Sequence, residues 1–504
     1  MLKEELMTLN YRSTRDPQAA TLTASQAILQ GLSPDGGLYV PTEAPVLDLP
    51  LADLPAMSYQ EVAFRVLKAF LTDFTDEELR DCIAAAYNGT FDDAAIAPVS
   101  HHGNDYYLEL FHGPTIAFKD LALQMLPHLM TVAAKKNHFS KETVILTATS
   151  GDTGKAAMAG FEDVAGTKII VFYPNNGVSP IQERQMITQT GDNTYVVAIN
   201  GNFDEAQTNV KEIFNDKAFA AQLAENGFQF SSANSINIGR LVPQVAYYFS
   251  AYGQLVATGQ LQLGDTVNFS VPTGNFGDIL AGFYAKQLGL PIHKLICASN
   301  DNNVLTDFFN TGVYNRKRPF KTTTSPSMDI LVSSNLERLL FHALGDSASQ
   351  TAEKMHALET AGQYSVSPEI LTGLQTDFWA GYATAAADKQ AISDVYHQTN
   401  FAIDPHTAVA KAAADQYRTA ESDNRPMVIV STASPYKFPN AVLAAIEDTP
   451  VTADGLAAVT QLHDLVGVPL PPAIKRLFDA EVRHHQTVPP DDMQHAIREI
   501  LHII

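Results

Sequence analysis

The chain has 504 residues, more than one hydrophobic core usually serves, so we expect two or three domains with room for a water-shielded site. Lys and Arg number 33 against 55 Asp and Glu, a formal net charge of −22 with no basic block, which argues against nucleic acid or an anionic membrane as a partner. The two cysteines, Cys82 and Cys297, show no CxxC or metal-ligand spacing and indicate buried free thiols in a reducing cytosol.

The first ten residues mix charged and scattered apolar side chains and lack the apolar core of a signal peptide. No uninterrupted apolar run elsewhere is long enough to span a bilayer. We therefore expect a soluble cytoplasmic protein. The pair His484-His485 has no third ligand at a convincing spacing, so we predict no metal site.

Residues 1–95 have the pattern of a separate N-terminal domain of mixed structure. A turn-rich section over 31–41 precedes helical periodicity over Tyr59–Phe70. From 96 to 440, short β-branched runs alternate with longer helical ones, which is typical of α/β units on largely parallel sheets. The runs that predict strands are Thr143–Leu146, Lys168–Phe172, Tyr195–Ile199, Val267–Val271 and Val428–Val430.

The segment Phe111–Asp120 sets Lys119 behind a tight turn at the start of an apolar helix. A lysine held there can be desolvated and can bond covalently to an aldehyde cofactor. Taken alone, such a lysine is more often a solvated charge. Two glycine-rich turns, Ser150–Gly154 and Thr273–Asp278, each follow a β-rich run and precede an alanine-rich helical run. Their presence in the same chain favours a functional role for Lys119.

The turn Ser150–Gly154 resembles a nucleotide P-loop only superficially. A P-loop needs four residues between its glycines and a Ser or Thr after the lysine, whereas Ala156 follows Lys155 here. Hydroxyls and amides at a helix N-terminus suit a carboxylate. Ordinary N-capping by Ser150 or Asp152 is an equally good alternative for the motif by itself.

The turn Thr273–Gly277 leads into the helical run that begins near Asp278. Its glycines allow consecutive backbone amides to converge on a phosphate. A glycine-rich turn between strand and helix that binds no ligand is the alternative. Further along, residues 301–330 have weak periodicity and predict a long surface excursion or a mobile loop, and residues 441–504 predict a C-terminal helical segment.

Together these segments resemble the threonine synthase family, of the pyridoxal-phosphate fold similar to the tryptophan synthase β subunit (fold type II). The resemblance covers nearly the whole chain. It implies an α/β fold with two open-sheet domains, the active site between them, and an N-terminal mixed domain. The matching segments are Tyr11–Arg15, Asp35–Leu38, His112–Asp120, Thr147–Gly154, Ser232–Asn237, Gly274–Asp278 and Thr432-Ala433.

The resemblance also implies roles for individual residues. Lys119 would bond covalently to pyridoxal 5′-phosphate and act as the proton carrier, and Thr432 would face the pyridine nitrogen. The cofactor phosphate would be held by Gly274, Asn275, Phe276, Gly277 and Asp278. The substrate carboxylate would be held by Ser150, Asp152 and Thr153, and the substrate phosphate by Asn234, Ser235 and Arg240.

The implied reaction converts O-phospho-L-homoserine and water to L-threonine and phosphate, in a monomer. Where the family often has His-Pro-Ala-Lys-Phe after Thr-Ala, this chain has Ser434–Phe438, so a histidine role there is in doubt. The nearest alternatives are a β-replacing cysteine synthase or a serine/threonine dehydratase, which need no cation for a γ-phosphate. A metabolite-binding protein without the chemistry is an alternative of another class.

Overall fold

The computed structural model describes residues 8–87, 89–149, 151–175, 177–449 and 451–503. Its N-terminal unit combines a small sheet with helices, as predicted. The unit comprises β1 (Tyr11–Ser13), α1 (Ala24–Gln30), β2 (Tyr39–Pro41), a 3-10 helix (Leu51–Ala56), α2 (Tyr59–Phe70) and α3 (Asp76–Tyr87). The predicted helix over Tyr59–Phe70 is confirmed by α2, whose start is set by a capping box between Ser58 and Glu61.

Strands and helices alternate through the remainder of the described chain. The strands are β3 (Val99–His102), β4 (Asp105–Glu109), β5 (Glu142–Ala148), β6 (Thr167–Pro174), β7 (Thr194–Ile199), β8 (Phe228–Ser231), β9 (Val267–Pro272), β10 (Ile292–Ser299), β11 (Val313–Asn315), β12 (Gln363–Ser365), β13 (Phe378–Tyr382), β14 (Met427–Ser431) and β15 (Gln486–Val488).

The helices up to residue 311 are α4 (Lys119–Leu123), α5 (Leu126–Lys136), α6 (Asp152–Phe161), α7 (Pro180–Ile187), α8 (Phe203–Asn215), α9 (Lys217–Glu225), α10 (Ile238–Ala257), α11 (Gly277–Gln287) and α12 (Val304–Thr311). The later ones are α13 (Leu336–Ala343), α14 (Ala348–Ala361), α15 (Pro368–Asp377), α16 (Ala385–Thr399), α17 (Pro405–Glu421), α18 (Pro439–Ile446), α19 (Gly455–Val466), α20 (Pro472–Asp479) and α21 (Met493–Leu501). Three further 3-10 helices are Pro326–Met328, Pro435–Lys437 and Pro490–Asp492.

Two open sheets form the α/β framework. One has five strands in the order β15-β7-β6-β5-β8, and all of its pairs are parallel. The other has six strands in the order β13-β10-β9-β14-β4-β3, in which β3 alone runs antiparallel to its neighbour. Each predicted strand lies inside an observed one, so the α/β class with largely parallel sheets is confirmed.

The C-terminal residues, predicted as a helical segment over 441–504, also contain a strand. β15 joins the edge of the five-stranded sheet beside β7, with Thr487 opposite Ala198. Helix α21 packs its buried side chains, including Met493 and Ile497, into the core of that sheet. Three residues are too few for a β period to show in the sequence, so this strand was missed.

The largest hydrophobic core joins the N-terminal unit to the six-stranded sheet. It runs without a break from Tyr11 and Phe70 through Leu123 to Tyr248 and Phe269. Within the described ranges, no helix is both long and apolar enough to cross a bilayer.

The prediction of buried free thiols is confirmed. Cys82 is 2 % exposed and Cys297 is fully buried, and neither forms a disulfide. Burial raises the pKa of each thiol to about 12, which keeps both protonated and unreactive near neutral pH.

Candidate active site

Three loops meet at one edge of the six-stranded sheet. β9, β14 and β4 are parallel neighbours, and their carboxyl ends lead to the turn at Gly274, to Thr432 and to the turn before Lys119. Ligands of open α/β sheets bind outside the carboxyl ends of the strands. The structure therefore brings the lysine turn and the two predicted cofactor-binding segments to the expected edge.

Lys119 is the first residue of α4 and follows a turn of unusual backbone. Ile116 has a φ of 55°, in the left-handed region that a β-branched residue seldom adopts. Tertiary contacts hold this turn, because Ser434 N donates to Ile116 O at 3.1 Å and Phe118 N donates to Thr432 O at 2.8 Å. The strained turn thus fixes Lys119 relative to the strand end that carries Thr432.

The carboxylate of Asp120 closes the same turn. Its Oδ2 accepts from Thr115 N at 2.8 Å, and its Oδ1 accepts from the Thr115 hydroxyl at 2.6 Å. A Cβ atom at Gly113 would lie 2.5 Å from the Cβ of Asp120, so only glycine fits there. These contacts explain why the segment around the lysine needs glycine, threonine and aspartate.

The amine of Lys119 is buried among polar groups. Its side chain is 12 % exposed, and Nζ donates to Ser327 Oγ at 3.1 Å and lies 3.6 Å from Asp152 Oδ2. Burial lowers the pKa of Lys119, and the charges of Lys437 and Arg240 lower it further, whereas Asp152 opposes the change. Burial therefore makes Lys119 easier to deprotonate than a solvated lysine, and the neutral amine is the form that can attack an aldehyde and accept a proton.

Asp152 is an ionised carboxylate with several partners. Oδ1 accepts from Gln182 Nε2 at 2.7 Å and lies 3.1 Å from Lys437 Nζ, and Oδ2 accepts from Ser327 Oγ at 2.8 Å. Burial raises the pKa of Asp152, but the charges of Lys437 and Lys119 outweigh burial and hold it well below its usual range. Such a carboxylate repels a second one, so contact with a substrate carboxylate would have to use the backbone N–H of Asp152.

The remainder of the predicted carboxylate-binding turn is only partly described. Ser150 lies outside the described residues. Gly151 has a φ of 130°, which favours glycine, and Thr149 Oγ1 accepts from Gly151 N and Gly154 N at 3.0 Å each. Thr153 is half-buried in the first turn of α6. The carboxylate-binding role of this turn stays a prediction.

The turn over residues 274–278 has the properties of a phosphate cradle. Phe276 adopts the left-handed conformation with a φ of 64°, and α11 begins at the next residue. Within the described part of the chain, the backbone N–H groups of 274–278 donate to no protein acceptor. A Cβ at Gly274 would lie 2.5 Å from Ser327 O, so glycine is required there. Free amides at a helix N-terminus fit the phosphate of the predicted cofactor.

The carbonyl groups of the same turn are held by the segment before α13. Asn335 donates to Asn275 O from its backbone N at 3.0 Å and from Nδ2 at 2.9 Å, and Ser333 Oγ donates to Gly274 O at 2.7 Å. These bonds fix the peptide planes of the turn, and hence the direction of its amides.

The side chain of Asp278 is engaged elsewhere. Its Oδ1 accepts from the hydroxyls of Tyr247 at 2.6 Å and Tyr248 at 2.8 Å, while Oδ2 is buried without a partner in the described residues. Burial raises the pKa of Asp278 to about 6, and the two tyrosine bonds oppose the rise. A role in holding a phosphate therefore belongs to the backbone of Asp278, because its carboxylate would repel the anion.

Arg240 is a buried cation without a carboxylate partner. It is 3 % exposed, Nη1 donates to Ala233 O at 2.7 Å, and Nε has no partner among the described residues. Burial lowers the pKa of Arg240 to about 10, which still leaves it charged at neutral pH. Because an uncompensated buried charge is costly, this site favours an anionic ligand. Nearby, Asn234 is exposed and Ser235 half-buried, and both remain predicted ligands.

The prediction of a surface excursion over residues 301–330 is only partly correct, because residues 316–324 form no helix or strand and are mostly exposed, whereas the remainder of the segment is mostly buried or half-buried. The segment contains α12, β11 and the 3-10 helix Pro326–Met328, and it brings Ser327 to Lys119. Its polar side chains satisfy one another, since Asp329 Oδ1 accepts from Asn300 Nδ2 at 2.8 Å, Asn302 Nδ2 at 3.0 Å and Thr323 Oγ1 at 2.8 Å. This bonding among polar groups explains why the part of the segment that packs against the site shows no apolar period.

Several residues at the site were not predicted from the sequence. Ser327 also donates from its backbone N to His406 Nε2 at 3.3 Å, and the other ring nitrogen of His406 is 2.7 Å from Asp404 Oδ2. Lys437, noted only where the family pattern changes, is fully buried and donates to Thr115 O at 2.9 Å. The position of Lys437 within an apolar run was the one local sign of a buried functional residue. The sequence around Ser327 and His406 gave no such sign.

Family models match three successive regions of the chain. Residues 10–87 match "Threonine synthase N terminus", residues 97–376 match "Pyridoxal-phosphate dependent enzyme", and residues 407–500 match "Threonine synthase, C-terminal". Together these models cover most of the sequence.

Relatives with similar sequences include the human "Threonine synthase-like 1", 42 % identical over 435 residues. That match covers 84 % of this chain, which spans only 58 % of the length of the human protein. The threonine synthase of Pseudomonas aeruginosa is 42 % identical over 441 residues, covering 86 % of this chain and 90 % of the relative.

Solved structures are similar over almost the full length. The crystal structure of PLP-bound threonine synthase from Brucella melitensis is 37 % identical with a TM-score of 0.86, covering 98 % of this chain and 99 % of that one. Yeast threonine synthase is 32 % identical with a TM-score of 0.87, covering 99 % of both chains.

Proposed function

Because this chain belongs to the threonine synthase family, we propose that it is a carbon–oxygen lyase that converts O-phospho-L-homoserine and water to L-threonine and phosphate. The observation that carries the proposal is the buried guanidinium of Arg240, whose Nε has no partner among the described residues and whose charge lowers the pKa of Lys119. A β-replacing enzyme of this fold has no γ-phosphate to neutralise.

Pyridoxal 5′-phosphate is the cofactor of the family, and the residues present fit it. The free amides of 274–278 suit its phosphate, and Lys119 suits its aldehyde. When bound, the cofactor supplies the electron sink for charge that develops at the substrate Cα. Because residue 432 is a threonine, with a hydroxyl rather than a carboxylate, it would leave the pyridine nitrogen of the cofactor largely unprotonated.

Lys119 is the natural base for the substrate protons. It removes the proton from Cα and then one from Cβ, which allows phosphate to leave from Cγ, and it returns a proton to Cγ. Water then adds at Cβ, and a proton returns to Cα to complete threonine. Because burial lowers the pKa of this amine, Lys119 releases a proton more readily than a solvated lysine does.

Arg240 acts on the leaving group. A guanidinium presents a planar fork of donors that matches phosphate oxygens, and burial strengthens the attraction because water does not screen it. Its Nε and remaining donors are free for such a contact in the described structure. The proposal includes substrate contacts by Ser150, Asp152, Thr153, Asn234 and Ser235. It also includes a monomeric protein in the cytoplasm.

The experiment is to supply the purified holoenzyme with O-phospho-L-homoserine and to measure phosphate and threonine together. The proposal expects the two products in a one-to-one ratio. O-Acetylserine with sulfide, and serine or threonine alone, test the β-replacing and dehydratase alternatives. Phosphate accompanied by a 2-oxo acid, or turnover of the β-substituted substrates only, would contradict the proposal.

A further inference from the structure

Arg338 is a fully buried cation on α13, a helix whose other buried side chains are mostly apolar, such as Leu339 and Phe341. The cost of placing a guanidinium in such surroundings is high unless every donor has a well-placed partner. The partners of Arg338 therefore show what this charge is for.

The guanidinium of Arg338 joins the start of its own helix, α13, to β2 and to the segment before α10. Nε donates to Tyr39 O in β2 at 2.9 Å, Nη2 donates to Ile236 O at 2.6 Å, and Nη1 donates to Asn335 Oδ1. All three acceptors are neutral oxygens, so the charge is not neutralised by an ion pair. The planar fork instead sets the distances between the three segments.

One of these segments carries the predicted substrate-phosphate site, and another is bonded to the cofactor-phosphate turn. Ile236 lies between Ser235 and Arg240, in the segment assigned to the substrate phosphate. Asn335, which orients its Oδ1 toward Arg338, donates from its backbone N and Nδ2 to Asn275 O in the cofactor-phosphate turn. Arg338 is thus bonded directly to the substrate-phosphate segment, and it reaches the cofactor-phosphate turn through Asn335.

The third segment belongs to the N-terminal unit, which also contacts the start of α10. Asn237, the N-cap of α10, donates from Nδ2 to Ile28 O at 3.0 Å at the end of α1. A Cβ at Gly31 would lie 3.3 Å from this amide. The N-terminal unit therefore supports the helix that bears Arg240 from a second direction.

We propose that Arg338 is a positioning residue that holds the substrate-phosphate segment 234–240 and the cofactor-phosphate turn 274–278 at a fixed separation, with the N-terminal unit as the support. The roles of the two segments rest on the proposed function. Loss of Arg338 then loosens both anion sites together. Loss of Asn335 loosens the cofactor side alone.

The test compares Arg338→Met, Arg338→Lys and Asn335→Ala with Arg15→Met as the matched control. Arg15 also links the N-terminal unit to α13, through Glu337 at 2.8 Å, but its bonds go to neither anion segment. The readouts are the PLP dissociation constant from equilibrium dialysis of holoenzyme, the affinity of holoenzyme for inorganic phosphate by calorimetry, and KM separately from kcat.

Arg338→Met is expected to lower the affinity for PLP and the affinity for inorganic phosphate, each on the order of tenfold. This is the effect of about one lost hydrogen bond to a charged group at each segment. KM should rise more than kcat falls. Arg338→Lys should resemble Arg338→Met, because one ammonium cannot reach three segments. Asn335→Ala should lower the affinity for PLP and leave the affinity for inorganic phosphate within about twofold of wild type. Arg15→Met should change neither affinity.

The proposal is overturned if Arg338→Met leaves both affinities unchanged, or if Arg15→Met lowers them equally. It is also overturned if Arg338→Lys binds like wild type. Should Arg338→Met not fold, Asn335→Ala decides, and an unchanged PLP affinity in that variant counts against the proposal. None of these binding readouts depends on which substrate is turned over, so a wrong proposed function would be seen separately in the product assay.

Discussion

At the scale of single residues, the site concentrates positive charge inside an acidic protein. The chain carries a net charge of −22, yet Lys119 and Lys437 are buried beside Asp152, and the charge of Arg240 also acts on Lys119. Screening weakens the distant surface charges within about 10 Å in salt, whereas buried groups interact with little screening. The buried cations therefore favour an anionic ligand in spite of the negative net charge of the chain.

Lys119→Ala is expected to abolish turnover while the fold remains intact. The substitution removes the covalent attachment point and the proton carrier, but little packed volume. Phosphate release measures the activity, and circular dichroism checks the fold. Measurable turnover near the wild-type rate would show that the lysine has been assigned wrongly.

Arg240→Ala is expected to lower kcat/KM for O-phospho-L-homoserine by roughly ten- to a hundredfold or more, because a charge-assisted contact to phosphate contributes about 1.5–3 kcal/mol. The visible absorption of the bound cofactor should stay near wild type. Arg184→Ala is the matched control, since Arg184 also donates to carbonyl oxygens, at Leu477 and Ala480. Loss of cofactor and fold together, or full activity, would make Arg240 structural.

Asp278→Asn is expected to stabilise the protein at pH 8 and to do little at pH 4. The folded-state pKa of about 6 lies above the unfolded value of 3.8, so the stability that the neutral carboxyl contributes is lost as pH rises through 6. A neutral amide avoids that loss, by on the order of 1–3 kcal/mol at pH 8. Thermal unfolding of both proteins across this pH range gives the difference, and a constant difference would contradict the assignment.

At the scale of elements, the site depends on close helix packing behind the catalytic turns. Helix α6, which follows the turn at Gly151, packs against α4, which begins at Lys119. The contact is made at Gly160, where a Cβ would lie only 1.9 Å from Leu123 O. The absence of a side chain at this point sets how near the two turns can approach.

Gly160→Ala is expected to destabilise the protein by about 1–3 kcal/mol or more, because the added methyl group overpacks against backbone. Gly373→Ala in α15 is the control, because nothing lies within 4 Å of its added Cβ. That change should stabilise by about 0.5–1 kcal/mol through helix propensity. Denaturant unfolding measures both, and equal effects at the two sites would refute the packing argument.

At the scale of the whole molecule, the N-terminal unit and the six-stranded sheet share one core. Its buried residues include Phe70 of α2 and Tyr248 of α10, and Leu54 O would meet a Cβ at Gly253 at 2.8 Å. The five-stranded sheet has a separate core on the side of α8, α9 and α21. Contact between the first two units is therefore too extensive for them to unfold independently.

We expect the amides of α2 and α10 to exchange hydrogen through the same opening reaction, with the same dependence on denaturant. The amides of α8 and α9 should exchange through a different opening, because their core is separate. Native-state hydrogen exchange with mass spectrometry measures this. Exchange of α2 at much lower denaturant than α10 would show that the N-terminal unit is an independent domain.

Local patterns in the sequence were enough for the elements and for the lysine. The period of α2, the β-branched runs inside five strands and the turn before Lys119 depend on residues within a few positions of one another. The same is true of the glycine-rich turn at 274–278. The family resemblance added the cofactor, which the family comparisons support, and the substrate, which is part of the proposed function.

Only the tertiary structure placed Ser327 on Lys119, paired Lys437 with Asp152 and set Arg338 between the anion segments. These contacts join residues about 100 to 300 positions apart, which no local period records. The buried part of residues 301–330 was not predicted for the same reason, because its polar groups are satisfied by one another rather than by water. The sequence by itself therefore determined most of the elements and indicated the lysine, whereas the surroundings that lower the pKa of the lysine and hold the segments 234–240 and 274–278 arise from long-range packing.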